Sequence, residues 1–210
     1  MRIQWQNSCV SDKVCITTIR FAQTEQTGVC CLSNLFQEGK MIIGHLPSGY
    51  ILSKLLTNRV VGNEINSRRL TLTGITGAIA PDFDWLYYFS IDNEQHLHHT
   101  YWTHYPIVWA GLLLLFSACY RWISSNPSVL LGIVFSAAGL MHMVLDSIVG
   151  DIMWFAPFYN ESYALFSVPE LYRPWWLNYV LHWTFSLELL VTLWAFVLWR
   201  RNPVLLEQGS

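Results

Sequence analysis

The chain has 210 residues, 53% of them hydrophobic and only 12% charged, about half the charge of an average soluble domain, which excludes a soluble domain with an ordinary surface. A net charge of −2 and a pI near 6.4 leave no basic face for DNA or RNA, so no nucleic-acid partner is expected. Of the five cysteines, Cys9, Cys15, Cys30 and Cys31 crowd the first 40 residues and Cys119 lies in an apolar stretch, without any CxxC pair, which excludes a disulfide framework and a zinc finger.

Residues 1–40 mix Gln, Ser, Thr, Cys and Val without a sustained helical or strand period, and they lack the architecture of a signal peptide. Met41 then opens MIIGHLPSGYILSKLL, which reads as a natural start. The first 40 residues are therefore expected to be a tail without function, either a disordered native extension or upstream sequence translated from a misassigned start. Residues 41–202 are expected to form one membrane-embedded domain, and 203–210 a second tail. The overall mean hydropathy of +0.31 is low for a membrane protein because the polar first third pulls it down.

From Gly44 to Asn58 the apolar residues Leu46, Tyr50, Ile51, Leu55 and Leu56 recur at helical spacing, which predicts an amphipathic or short embedded helix. Leu70 to Ser90 is apolar but broken at Pro81, which removes a backbone donor and disfavours helix at Ala80. Ile91 to Thr103 reads as a polar, His-rich loop, and Pro106 suits the first turn of the next helix. Tyr105–Trp122, Val129–Ile148 and Asn178–Trp199 each supply about the 20 apolar residues that a bilayer core requires. The aromatic and proline-rich residues 149–177 read as a loop in the headgroup zone. The expected fold is all-α, a polytopic membrane helical bundle with four to five embedded helices.

With the spans so placed, Arg59, Arg68, Arg69, Arg121, Arg200 and Arg201 fall on one side of the bilayer, which the positive-inside rule makes the cytoplasm. His45, the His98–His104 loop, and the His142 and Asp146 end of its helix fall together on the other. An inner-membrane, multi-pass protein with its site on the non-cytoplasmic face is expected.

Carboxylates and imidazoles buried in lipid cost several kcal/mol unless partnered, and no Lys or Arg lies in that half of the spans to pair with them. A metal ion is the economical partner. His142 and Asp146, four apart, share one helical face. Asp82 and Asp84, two apart, suit a turn better than a helix, and His99 and His104 suit a loop followed by a helix start. Mixed imidazole and carboxylate donors without thiolate fit Zn²⁺, with Mn²⁺ or Fe²⁺ as alternatives, in an open rather than a closed structural site. The candidate ligands are His45, Asp82, Asp84, His99, His104, His142 and Asp146, enough for one or two ions. His98, Asp151, His182 and Glu188 are candidates for supporting positions around them.

Taken together, HLPSGY, GAIAPDFDW, HHTYWTH and HMVLDSIVGDIMWFAPF resemble the membrane-bound metal-dependent hydrolases, the LexA-regulated inner-membrane proteins of the YdjM type, over about Met41 to Trp199. The family pattern of a helix-start His, PDxD, a His followed by a Thr-His pair, and HxxLD falls on His45, Asp82, Asp84, His99, His104, His142 and Asp146. Where many relatives carry Arg and Gly after the first His of the third motif, this chain has Thr100 and Tyr101, which leaves open whether His98 or His99 is the ligand. The order of ligands is also similar to that of the helical zinc-dependent phospholipase C group. The resemblance implies hydrolysis of an ester or phosphoester, from a small-molecule or lipid substrate, with Asp82 or Asp84 as general base.

Intramembrane Asp and His also mark ion pathways, so a proton or metal transporter is the rival reading. A transporter needs polar groups through both halves of the bilayer, whereas the cytoplasmic halves of these spans are nearly all apolar. A scaffold with a purely structural metal is the third.

Overall fold

Prolines and asparagines open several of the helical segments, at Asn66, Pro81, Pro106 and Asn126. The computed structural model describes residues 6–11, 14–18, 43–60, 65–91, 100–123, 126–169, 171–172 and 175–201, and the chain divides into two compact units, Met1–Gln37 and Glu38–Ser210.

In the first unit, strands β1 (Gln6–Ser11) and β2 (Val14–Thr18) pair antiparallel, with Gln6 opposite Thr18, Cys9 opposite Cys15, and an irregular register between Cys9 and Ser11. This hairpin was not anticipated from the sequence. Polar Gln6, Asn7, Ser8, Thr17 and Thr18 break the apolar alternation by which a half-buried strand is recognised. The rest of the expected N-terminal tail, 19–40, and the C-terminal tail, 203–210, lie outside the described residues.

The second unit is helical. Helix α1 (His45–Val60) carries Pro47 in its first turn, where the missing N–H would have no intrahelical partner. Asn66 caps α2 (Ser67–Ile79) by accepting a 2.8 Å bond from the Arg68 N–H, and Asn126 caps α5 (Pro127–Asp146) through the Ser128 N–H at 2.8 Å. Each cap contributes about 1 kcal/mol. Pro81 ends α2 as expected and opens a 3-10 turn, Pro81–Phe83, followed by α3 (Asp84–Ser90). A second 3-10 turn, Trp102–His104, leads into α4 (Pro106–Trp122). The last apolar stretch is two helices, α6 (Trp175–Leu181) and α7 (Trp183–Arg201), rather than one. The break falls at His182, whose Nδ1 pairs with Thr184 Oγ1 at 2.8 Å, a local side-chain bond of the kind that competes with helix continuation.

Two helices, α5 and α7, are long and apolar enough to cross a membrane, and α4 is a shorter apolar helix. At about 1.5 Å per residue, α1 and α2 fall short of a hydrocarbon core about 30 Å thick. Among the described residues two helices therefore meet the dimensions of a span, and the expected four to five embedded helices are not shown.

Helix α2 sits between α1 and α5, while α4 packs on α5 and α7 on α1. Small residues permit these approaches. Gly49 and Ser53 of α1 face Gly74 and Ala78 of α2, so that a Cβ on Gly74 would overlap the Ser53 hydroxyl; toward α5, a Cβ on Gly77 would run into the backbone of Phe135. Leu70 and Val134, with Ile65, Leu56, Leu130 and Leu131, fill one end of this sandwich, and Tyr50, Ile51 and Ala195 seal α1 against α7.

Candidate metal centre

The Pro81 turn brings the chain back past the end of α5 and delivers two aspartates to one imidazole. His104, completely buried, lies between Asp84 Oδ2, 2.7 Å from its Nδ1, and Asp82 Oδ1, 3.8 Å from its Nε2. Asp84 Oδ2 also accepts a 2.7 Å bond from the Thr103 hydroxyl. An ionised carboxylate only accepts, so the His104 Nδ1 carries the proton and its Nε2 presents a lone pair in the neutral ring. The turn is held from α4, where the Trp109 indole N–H donates to Thr103 O at 2.8 Å.

His142, near the end of α5, is oriented in the same way by a different group. Its Nδ1 donates to the carbonyl of Ala78 at 2.6 Å, a contact that the close approach of α2 to α5 at Gly77 makes possible. That leaves Nε2 directed into the site, 3.0 Å from Asp146 Oδ2 and 3.6 Å from Asp82 Oδ1. At that distance a proton or a cation between His142 Nε2 and Asp146 Oδ2 would stabilise the pair. The other oxygen of Asp146 lies 3.0 Å from His45 Nε2, and the His45 ring stacks on His142 with centroids 3.8 Å apart.

Two groups of atoms thus converge, His45 with His142 and Asp146, and Asp82 with His104 and His142, each within 4.8 Å. From His104 Nε2 and His142 Nε2 to Asp82 Oδ1 and Asp146 Oδ2 the four imidazole–carboxylate separations run from 3.0 to 3.9 Å. Ligands at about 2.1 Å in a tetrahedron are about 3.4 Å apart, so these separations bracket the spacing around a divalent transition ion, and the donors fit one in kind. Asp82 is the accessible member, with 36% of its side chain exposed against 4% or less for Asp146 and His104.

Of the residues expected from sequence, His45, Asp82, His104, His142 and Asp146 meet here. Asp84 is buried beside them but behind His104, outside either converging group. His98 and His99 lie outside the described residues. Asp151 is exposed in the segment after α5, and His182 contacts Thr184 and the Trp183 ring. Glu188, completely buried in α7, accepts from the backbone N–H groups of Ile43 and Gly44. Thr103 and the Ala78 carbonyl were not anticipated. Thr103 precedes a histidine in the Thr-His pair, a usable signal; a backbone carbonyl leaves none.

The family model for the YdjM inner membrane protein matches residues 41–205. The chain belongs to the YdjM inner membrane protein family. That match covers every residue of the centre. No curated relative and no solved structure matches the chain. Membership in this family, with two helices of spanning length and composition, accords with an inner-membrane location.

Proposed function

We propose that the chain is a metal-dependent hydrolase embedded in the inner membrane in several passes, its site on the non-cytoplasmic face, acting on an ester or phosphoester of a small molecule or lipid. The observation that carries this reading is the approach of two imidazole nitrogens to two carboxylate oxygens at 3.0 to 3.9 Å, with one side accessible at Asp82. Asp82, His104, His142 and Asp146 would hold one divalent transition ion, Zn²⁺ before Mn²⁺ or Fe²⁺, and His99, expected from the sequence, is a further candidate donor. When bound, the ion supplies Lewis acidity toward a carbonyl or phosphoryl oxygen. A second ion is disfavoured because both converging groups use the single lone pair of His142 Nε2.

Asp84 and Thr103 hold the His104 tautomer, and Ala78 O does the same for His142, leaving both rings rigid. His45 steadies Asp146 from the far oxygen. Asp82, the exposed carboxylate, is placed to take a proton from a water arriving from solvent. The exposed apolar side chains of Phe83, Leu86 and Trp102, close in sequence to Asp82 and His104, favour a substrate with apolar parts.

Hydrolysis of generic phosphodiesters and lipid esters by the purified protein tests the reading. Activity is expected to vanish with chelation, to return with Zn²⁺ or Mn²⁺, and to be absent in Asp82→Asn. Activity that survives both chelation and Asp82→Asn would refute it.

A further inference from the structure

Glu188 is the only acidic residue of α7, and an unpartnered carboxylate at a fully buried position of an apolar helix would be strongly unfavourable. Its partners are far away in sequence. Oε2 accepts from the N–H of Ile43 at 2.6 Å and from that of Gly44 at 3.0 Å. Gly44 O in turn accepts the first helical bond of α1, from Ser48 N at 3.0 Å, so the two donors stand at and just before the start of that helix. In a capping box a carboxylate of the helix's own first turn reaches back to this N–H. Here a carboxylate from another helix occupies that place.

The residue after Gly44 is His45, whose Nε2 reaches Asp146 Oδ1 at 3.0 Å and whose ring stacks on His142. A one-turn rotation or fraying at the start of α1 would withdraw that ring from both. The tie to α7 removes this freedom, because two bonds to one oxygen fix both the position and the direction of the entering strand. We propose that Glu188 is a positioning residue of the centre, acting through the first turn of α1 to hold His45 against Asp146. The reach of the proposal into metal affinity rests on the metal-centre reading; the placement of His45 does not.

The experiment uses the full chain in detergent with Glu188→Gln, which keeps an acceptor oxygen, Glu188→Ala, which removes it, and Glu188→Asp, which keeps the charge but is shorter by a methylene. Carbethoxylation of histidines by diethyl pyrocarbonate, followed by mass spectrometry, reads His45 directly, with buried His104 on another element as the control. His45 is expected to be protected in the wild type and in Glu188→Gln, and to react about 10-fold faster or more in Glu188→Ala and Glu188→Asp while His104 stays protected, as local opening of one segment requires. Zinc titration gives the second arm. Glu188→Ala and His45→Ala should each weaken binding, by about 10- to 100-fold as partners of ligands do, and the double variant should lose no more than His45→Ala alone. Unchanged protection of His45 in Glu188→Ala or Glu188→Asp, or losses that add in the double variant, would overturn the proposal. If Glu188→Ala also exposes His104, Glu188→Asp alone decides. A wild type that binds no zinc would defeat the metal reading and leave the carbethoxylation result to decide the role of Glu188.

Discussion

His104 shows how a single ring is oriented by groups that stand outside either converging set of donors. Its Nδ1 proton is held by Asp84, whose own orientation is held by Thr103, itself bound through its carbonyl to Trp109. Removing Asp84 frees the ring to rotate or change tautomer, so Asp84→Ala is expected to weaken metal binding about 10- to 100-fold; a competition titration checks this, and Thr103→Val should lose less. His142→Ala carries an additional cost. It orphans the buried Ala78 carbonyl, so thermal unfolding should show a loss of about 1–3 kcal/mol even in metal-free protein. Because imidazoles ligate only when neutral, acidification should release the metal while His96→Ala, outside the motifs, leaves the release unchanged. The pair His142 and Asp146 was legible in the sequence because four-residue spacing fixes a shared helical face before any tertiary contact forms. The place of Asp84 behind His104 was not, since it depends on how tightly the Pro81 turn winds.

At the scale of elements, the close contact of α2 with α5 is what brings the Ala78 carbonyl to His142. Gly77→Ala would drive a methyl group into the Phe135 backbone, an overpacking worth about 1–3 kcal/mol. Since the next residue is Ala78, the same variant is expected to lower metal affinity, whereas Gly111→Ala, where an added Cβ meets open space inside α4, should leave affinity unchanged and raise stability by about 0.5–1 kcal/mol. Denaturation and zinc titration of the two variants side by side provide the check. Much of this level was readable from sequence. Pro81 breaks the helix as expected, Pro106 opens α4, and the apolar runs became α4, α5 and α7. Three features were not. The β1–β2 hairpin lacks a clean alternation, the break at His182 arises from a side chain bonding two residues on, and the tie of Glu188 to the start of α1 joins groups 144 and 145 residues apart through backbone donors that carry no residue identity.

For the molecule as a whole, the centre lies at the helix ends opposite the arginines. Helix α2 begins at exposed Arg68 and Arg69 and ends at the Pro81 turn, α4 runs from the His104 turn to exposed Arg121, and α7 ends at exposed Arg200 and Arg201. Under the proposed topology, which places the arginines on the cytoplasmic side, single cysteines placed next to Arg121 and Arg200 in a Cys-free background should resist impermeant thiol reagents in intact cells, and a cysteine at Trp102 should react. Preferential labelling beside Arg121 would invert the topology. In α5 the potential ligands, His142 and Asp146, sit together at one end, and the first turns contribute only serines as polar groups, an arrangement that suits a site at one face better than a path through the membrane.

The most direct test of the central claim is the transition-metal content of protein purified without chelators, measured by elemental mass spectrometry for the wild type and for His142→Ala, with helicity followed in parallel. One ion of zinc, manganese or iron per chain in the wild type, and its loss in a still-helical His142→Ala, is the expected result. A wild type without stoichiometric metal, or a His142→Ala variant that retains it in full, would contradict the account.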